Sequence, residues 1–373
     1  MIKIREVSGK KELKQFVKFP FKLFKGNPFW VPPIIKDELD SFNPNINPAF
    51  ETATARFFMA YKNKEIVGRV AAIINHTEVQ QQGLKKMRFG WFDVIDDIKV
   101  TKALLDKVYE IGKANNLEYI EGPLGFSNLD KVGVLTSGFD LLSTMISWYS
   151  YPYYHKHLLK LGYTEEKHFI EGEIDMTNVN PDYFIKAQKL IKARYGLKPK
   201  NFSSTKEFLP YVDKMFELLN ETYAKLSSFV PISKKQQDYF KDKYISLINP
   251  EYLKFILDKD DNVIAFSIVM PAFAKALQKA NGKLWPFGIF HILKAKKHSK
   301  EVLFYLIGIK EEYQNKGVTA IIFDEYFKTF KEKGIKKCFR TPELIENHAI
   351  HQIWKHFKSN INKDRKTFSL PIK

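Results

Sequence analysis

The spacing of apolar and polar residues predicts the same succession of elements in both halves of the chain. Apolar residues that alternate with polar ones indicate strands, and apolar residues three or four apart indicate amphipathic helices. In the first half, the pattern predicts a helix at 99–115 and strands at 55–62, 65–75, 88–94 and 118–122. In the second half, it predicts a helix at 317–333 and strands at 252–258, 263–269, 302–309 and 336–341. The repeated order is hairpin, strand, helix and strand.

This repeat predicts two mixed α/β domains, because strands alternate with helices in each half. The chain has 373 residues, which exceeds the length over which one hydrophobic core usually grows. We place the domains at 1–178 and 179–373, since Asn178–Asp182 has the composition of a linker that caps a helix. The predicted fold class is α/β with mixed, α+β-type sheets.

A short polar loop joins a predicted strand to a predicted helix in the second half. It contains Gln314, Asn315 and Lys316 and reaches the helix at Gly317. A helix N-terminus offers unpaired backbone N–H groups and the positive end of the helix dipole, so a pyrophosphate can bind there. Glycine at this position allows a close approach. The alternative is an ordinary strand-to-helix turn with a capping glycine.

At this loop the sequence resembles the GNAT acyltransferase superfamily, whose signature is Gln/Arg-x-x-Gly-x-Gly/Ala. Gln314, Gly317 and Thr319 occupy the three defined positions, although Thr319 is bulkier than Gly or Ala. The resemblance implies acyl-CoA or acetyl-CoA as co-substrate. It extends to Asn347, at the start of the fourth helix of such domains, and to Trp354, where a tyrosine that protonates the departing CoA thiolate is usual. An indole cannot supply that proton.

The residues predicted to bind the acyl-CoA are Ile307, Ile309, Gln314, Asn315, Lys316, Gly317, Val318, Thr319, Asn347 and Trp354. An amine attacks a thioester in its neutral form, so a group that removes its proton is expected near the thioester. Glu343 and Glu346 are the candidates, and Asn347 is grouped with them as a catalytic residue. Carboxylates before a helix also cap it, which is the alternative for both acids.

The corresponding loop of the first half, residues 93–100, has no glycine and carries three acids. Because these would repel a pyrophosphate, we expect a degenerate phosphate loop and a domain that shapes the acceptor site. An irregular segment of the same half supplies Ser127, Asn128 and Asp130 as acceptor-binding candidates, and Tyr154 is added to them. A structural loop is the alternative for the first three.

Other segments resemble the tandem-GNAT group that includes bacterial ceramide synthases. They include Asn27–Pro33, Gly122–Pro123, Tyr153–Tyr154, Leu161–Tyr163 and Phe229–Pro231. The resemblance implies transfer of a fatty acyl chain from a thioester to a sphingoid base or another lipid amine. An N-acetyltransferase for a small polar amine or peptide and a non-catalytic binding protein with this fold are the alternatives.

The strongly basic composition of the chain implies an anionic partner. The formal net charge is +18 and the isoelectric point is about 9.5. A negatively charged partner can be the phosphates of CoA, anionic lipid or nucleic acid. The sequence contains no recognition-helix or base-stacking motif that favours nucleic acid. Lysines alternate with aromatic residues at 14–30 and 284–300, as in segments that rest on anionic bilayers. Packed aromatic helices with solvated lysines are the alternative.

Several classes are not expected from the composition. The single Cys338 excludes an internal disulfide, and the nine histidines show no zinc spacing, so no metal is predicted. No apolar run approaches the ~20 residues that span a bilayer. The start of the chain lacks the apolar core of a secretory signal, so we expect a cytoplasmic protein that is peripheral on the inner face of the membrane.

Overall fold

The computed structural model describes residues 1–226 and 229–373. Its strands are β1 (Ile2–Glu6), β2 (Ala53–Lys62), β3 (Glu65–Asn75), β4 (Lys86–Val94), β5 (Tyr119–Gly122), β6 (Val134–Ser137), β7 (Thr164–Asp175), β8 (Lys198–Lys200), β9 (Leu253–Leu257), β10 (Val263–Pro271), β11 (Glu301–Ile309), β12 (Lys337–Leu344) and β13 (Ser359–Pro371). Its α-helices are α1 (Gly9–Leu23), α2 (Ile35–Ser41), α3 (His76–Gln80), α4 (Ile98–Ala114), α5 (Tyr153–Lys160), α6 (Asp182–Tyr195), α7 (Thr205–Phe208), α8 (Val212–Tyr223), α9 (Lys234–Tyr244), α10 (Ala274–Ala280), α11 (Gly288–His298), α12 (Val318–Lys333) and α13 (His348–Trp354).

The chain folds as two compact units that are discontinuous in sequence. Unit 1 comprises residues 1–170, 274–292 and 362–373, and unit 2 comprises residues 171–273 and 293–361. The last strand contributes to unit 1 because Phe368 to Pro371 of β13 pair antiparallel with β5. Helix α10 joins unit 1 through Gln278, whose Nε2 donates to the carbonyl oxygens of Pro28 and Trp30 at 2.8 and 3.0 Å. The continuous domain boundaries stay a prediction.

Unit 1 contains a mixed sheet in the order β1, β2, β3, β4, β5 and β13. The β2–β3 hairpin is confirmed: its turn residues, Asn63 and Lys64, have φ values of 51° and 68°, as a tight type I′ turn requires. Strands β4 and β5 run parallel, whereas the β1–β2, β2–β3 and β3–β4 pairs are antiparallel. The buried face of α4, which includes Val100, Leu104 and Val108, belongs to the main core of this unit.

Unit 2 repeats this arrangement, with the strand order β7, β12, β11, β10, β9 and β8, β7 contributing from Glu171 onward. Here β11 and β12 run parallel, and β8 to β11 are antiparallel to one another. Helix α12 packs into the core through Val318, Ile321 and Ile322. In each unit, the segment that connects two parallel strands forms a helix that packs in the core, and the predicted mixed α/β class is confirmed.

The two basic–aromatic segments differ in burial. In the first, Phe16, Phe19 and Phe24 are buried, and Phe24 stacks on Trp30 with ring centroids 5.4 Å apart. This segment follows the packed-helix alternative. In the second, Trp285 and its aromatic neighbours are exposed. The sequence pattern is similar, but the tertiary environment is opposite.

A buried network of charges holds the start of the parallel pair in unit 1. The carboxylate of Glu78 receives hydrogen bonds of 2.7 Å from Nε and Nη2 of Arg88, and Lys86 Nζ lies 2.8 Å away. Lys86 also lies 3.0 Å from Glu121, which Lys167 approaches at 3.2 Å. Burial raises the pKa of Glu78, but Arg88 and Lys86 outweigh that effect, so the net pKa is below its ordinary value.

We expect Glu78→Gln to lower the free energy of unfolding by about 3–5 kcal/mol at neutral pH, because it leaves buried cations without their carboxylate. Because the pKa of Glu78 is lower in the folded state, its contribution is present above the unfolded pKa and is lost as the pH falls through the folded value. Urea denaturation measures both effects. Glu110→Gln, at the exposed Lys107–Glu110 pair, is the control and should change stability by less than about 1 kcal/mol. Equal losses in the two variants would contradict the network's role.

Candidate functional site

The parallel strands of unit 2 stop pairing halfway along their length. Their ladder runs from Glu301 opposite Lys337 to Phe304 opposite Arg340, although β11 continues to Ile309 and β12 to Leu344. On the other side of β11, Leu306 pairs with Ile268 and Phe304 with Val269, so that Tyr305 is an extra residue. Such a bulge bends a strand and increases its twist. The bulge therefore lies where β11 leaves the β12 ladder.

The loop after β11 leads to a helix end that no side chain caps. Gln314 Nε2 donates to the carbonyl of Ile309 at 3.0 Å and closes the loop onto the strand. Gly317 is the N-cap residue of α12, with φ 75° and ψ 14°. Among the described residues, no acceptor binds the backbone N–H of Gly317, Val318 or Thr319. These donors lie at the positive end of a helix of 16 residues, which suits an anion.

The predicted pyrophosphate-binding residues surround this helix end. Gln314, Asn315, Lys316 and Gly317 are exposed, Thr319 is half-buried and Val318 is buried. The ammonium of Lys316 lies 5.4 Å from the ring centroid of Tyr195 and 5.6 Å from that of Tyr313. On the strand, Ile307 is buried in the core and Ile309 is half-buried.

Gly317 has two structural reasons to be glycine. Its positive φ is unfavourable for other residues, and a Cβ atom there would lie 2.6 Å from Cδ1 of Ile191 on α6. The close approach seen in the structure is thus between helices. A phosphate would use the N–H groups on the axis of α12, while Gly317 keeps α6 in place beside it.

The equivalent places in unit 1 are filled by the protein itself. The Asp97 carboxylate caps α4, accepting from the N–H of Lys99 at 3.0 Å and lying 2.9 Å from Lys62 Nζ. Beside β4, the N–H of Leu124 donates to the carbonyl of Phe89 at 2.7 Å. A pyrophosphate at α4 would have to displace a carboxylate of its own charge. The geometry of α12 therefore suits the ligand and that of α4 does not.

A buried carboxylate lies at the end of β12. Glu343 accepts hydrogen bonds from Nε of Arg340 at 3.2 Å, from its Nη2, and from Nε1 of Trp354 at 2.8 Å. Arg340 also donates to Ser359 Oγ at 2.7 Å, and its guanidinium lies 5.1 Å from the centroid of the Trp354 ring. Burial raises the pKa of Glu343 above its ordinary value, although Arg340 and Trp354 oppose the shift. Trp354 occupies the position where the resemblance implies a tyrosine, and its indole N–H orients the Glu343 carboxylate.

The other two predicted catalytic residues lie at the start of α13. Asn347 caps this helix, its Oδ1 accepting from the N–H of Ile350 at 3.3 Å. Glu346 is exposed, and in the described parts of the chain no group is hydrogen-bonded to its carboxylate. His351 lies nearby, with its Nδ1 atom 3.7 Å from a Glu343 oxygen. The segment 343–351 thus presents one buried and one solvated carboxylate.

The predicted acceptor-binding residues belong to unit 1 and bond to their own surroundings. The Asp130 carboxylate accepts from the N–H of Ser127 at 2.9 Å, and Asn128 is exposed. Tyr154 is buried, and its hydroxyl donates to Asp93 at 3.3 Å and accepts from the N–H of Val94 at 3.2 Å. These contacts agree with a structural role for Ser127, Asp130 and Tyr154.

Sequence reasoning missed Tyr223, the last residue of α8. Its hydroxyl donates to the carbonyl of Ile307 at 3.2 Å, on the part of β11 that lies beyond the β12 ladder. Burial raises the pKa of Tyr223 to about 12, and the negative charge of Glu343 acts in the same direction. The sequence offers no signal for this residue, because an aromatic side chain on an amphipathic helix usually indicates core.

No protein-family model matches the chain. Protein YghO of Escherichia coli K12 is 26% identical over 322 residues, which are 86% of this chain and 81% of that protein. Bacterial ceramide synthase of Caulobacter vibrioides is 25% identical over 309 residues, or 81% of this chain and 79% of the relative.

The structural comparisons concern the fold. A tandem GNAT protein from the clavulanic acid biosynthesis pathway matches 100% of this chain and 99% of its own, with a TM-score of 0.58 and 10% identity. A GCN5-related N-acetyltransferase from Sphaerobacter thermophilus matches 100% and 96%, with a TM-score of 0.53 and 7% identity. Both structural likenesses concern the fold alone. The chain therefore has a tandem GNAT fold, and over most of its length its sequence is similar to bacterial ceramide synthase of Caulobacter vibrioides.

Proposed function

We propose that this protein is an acyl-CoA-dependent N-acyltransferase that binds the CoA pyrophosphate at the N-terminus of α12. The observation that carries the proposal is the set of unbonded N–H groups at Gly317, Val318 and Thr319. They lie at the loop that follows β11, whose ladder with β12 ends at Phe304, so a pantetheine arm can lie along the part of β11 that no longer pairs with β12. Lys316 adds a positive charge beside the phosphates.

In this proposal Tyr223 stabilises the leaving sulfur. A phenol whose pKa is about 12 stays protonated at neutral pH and can donate a hydrogen bond. Since a thiol has a pKa near 8.5, full proton transfer from Tyr223 would be uphill. The hydroxyl therefore gives up its hydrogen bond to the Ile307 carbonyl and donates to the departing thiolate, which it stabilises, while the proton that converts the thiolate to a thiol comes from solvent. Tyr223 thus supplies the hydroxyl group that a tryptophan at position 354 does not have.

The proton of the attacking amine goes to a carboxylate at the end of β12. Burial raises the pKa of Glu343 and makes it a stronger base than an exposed acid. One of its oxygens, Oε2, accepts from Arg340 alone among the described residues and keeps a lone pair for a water or an amine. Glu346 is the solvated alternative. Asn347 positions this segment by capping α13.

For the acceptor, we propose a lipid amine of the sphingoid-base class, with a fatty acyl thioester as donor. The similarity to bacterial ceramide synthase of Caulobacter vibrioides over 81% of the chain supports it. A small polar amine or peptide is the alternative acceptor. Mass spectrometry of the purified protein with acyl-CoAs of several lengths, sphinganine and small amines separates the two.

We expect N-acyl sphinganine with long-chain donors in that assay. Product from acetyl-CoA and a small amine alone would contradict the lipid acceptor but retain the acyltransferase. Tight CoA binding without product from any acceptor would instead indicate a non-catalytic protein with this fold.

Gly317→Ala should weaken CoA binding about tenfold, because a Cβ atom in the left-handed region and against Ile191 shifts the helix end and its N–H groups. Gly334→Ala is the matched control: Gly334 ends the same helix with φ 64°, and a Cβ atom there approaches only the end of the Lys300 side chain. Isothermal titration calorimetry with CoA measures both. Equal affinities in the two variants would place the pyrophosphate elsewhere.

Tyr223→Phe should lower kcat about 10- to 100-fold with little change in KM for the acyl-CoA, because the hydrogen bond is made to the departing sulfur. Tyr211→Phe, on a half-buried ring in the same unit, is the control. With an aryl thioester, whose thiolate needs less stabilisation, the defect should shrink. A defect of the same size for both leaving groups would assign Tyr223 a structural role.

A further inference from the structure

The segment 274–300 has a one-sided charge. It contains seven lysines and no aspartate or glutamate, in a chain that has 42 acidic residues in all. It forms α10, the turn that follows and α11. Such a segment attracts an anionic surface and repels a cationic one.

The same segment exposes its largest apolar side chains. The exposed fractions are 76% for Trp285, 72% for Phe287, 62% for Phe290 and 53% for Leu293. In α11, Phe290, Leu293, Lys294 and Lys297 follow helical spacing and are all exposed, while Ile292 is buried. The helix therefore directs a stripe of apolar and basic side chains to solvent. We call the surface formed by Trp285, Phe287, Phe290, Leu293, Lys294 and Lys297 the aromatic–lysine face.

The fold holds the turn that presents these side chains. The carbonyl of Gly282 accepts from the N–H of Ile35 at 2.9 Å, and a Cβ atom at Gly282 would lie 2.6 Å from the Phe21 ring. The N–H of Ile289 donates to the carbonyl of Leu284 at 2.7 Å. Gly288 is buried so tightly that a Cβ atom would lie 1.9 Å from the carbonyl of Lys283. The exposed rings thus stand on an ordered support.

We propose that the aromatic–lysine face docks this protein on an anionic phospholipid bilayer. Indole and phenyl rings insert at the level of the headgroups, and lysines at the same face contact their phosphates. A nucleic acid could stack its bases on exposed rings, but it would leave the exposed Leu293 side chain in water, whereas a bilayer takes up rings and leucine alike. A symmetric pair of chains using this face would set lysine against lysine. A lipid surface accommodates both the exposed apolar side chains and the lysines. This docking does not depend on the proposed acyl transfer.

The docking is peripheral. In residues 1–226 and 229–373, the structure contains no helix that is long and apolar enough to cross a bilayer. Apolar insertion and electrostatic attraction act together in such binding, and each alone is weak. Both should therefore be necessary for stable attachment.

The test is flotation of the full chain with vesicles of phosphatidylcholine, with and without phosphatidylglycerol. We expect binding to the mixed vesicles that falls with added salt, and about tenfold weaker binding after combined W285S, F287S and F290S substitutions. K294A with K297A should weaken binding to the mixed vesicles and reduce its salt dependence, because two of the seven lysines are lost. Y183S with L190S, at exposed apolar residues outside this face, is the matched control and should bind like the unmodified protein.

Fluorescence locates the contact. Trp285 is exposed, whereas Trp30 and Trp148 are half-buried and Trp91 and Trp354 are buried. We expect a blue shift of the emission on mixed vesicles and quenching by brominated lipid, both absent in W285F. Unchanged urea midpoints for the serine variants exclude misfolding.

Three results would overturn the proposal. Unmodified protein could fail to float with mixed vesicles, or the triple serine variant could float equally well. Alternatively, sedimentation velocity could show that the unmodified protein self-associates through this face and that the triple variant is a monomer, without vesicle binding. If the triple serine variant loses vesicle binding but still acylates a water-soluble amine, the face serves docking and the proposed reaction does not depend on it.

Discussion

Two parallel strands can share a hydrogen-bond ladder only while they stay side by side, and the candidate site depends on the point where β11 and β12 stop doing so. The extra residue at Tyr305 lies next to the last paired residue, Phe304. Beyond Phe304, β11 no longer pairs with β12, and among the described residues no acceptor binds the N–H groups of Gly317, Val318 and Thr319 at the start of α12. In the proposed complex, the phosphates of acyl-CoA bind the N–H groups at the start of α12, which bond to no acceptor among the described residues.

The two units show how the same topology can lose or keep this property. In unit 1, Asp97 caps α4 and Leu124 bonds to Phe89 beside the parallel pair. The helix end is satisfied by a negative charge, and the space beside β4 is occupied by the chain. In unit 2, the N-cap residue of α12 is Gly317, and no side chain of the described residues caps the helix. The two units thus share a topology and differ in the residues at the start of the helix between their parallel strands.

Trp354 illustrates a different kind of substitution. In the sequence, Trp354 stands where the resemblance implies a tyrosine that can donate a proton, so the sequence indicates that this group is lost. In the structure, the indole donates a hydrogen bond to the buried Glu343 carboxylate, and its ring lies against the guanidinium of Arg340. The three side chains stabilise one another, since a buried carboxylate needs donors and a buried guanidinium needs an acceptor. Tyr223 approaches β11 from α8 and offers the hydroxyl that Trp354 lacks. In the proposed function, the hydrogen-bond donor to the leaving sulfur thus lies on α8 instead of α13.

The sequence by itself determined the β2–β3 hairpin, the strand–loop–helix around Gly317 and the mixed α/β class. These depend on local periodicity and turn chemistry, which neighbouring residues supply. Only the tertiary structure decided that β13 completes the sheet of unit 1, that Tyr223 meets Ile307, and that one basic–aromatic segment is buried while the other is exposed. Strand pairing and burial join residues far apart in the chain, so no local pattern encodes which partner each surface will find.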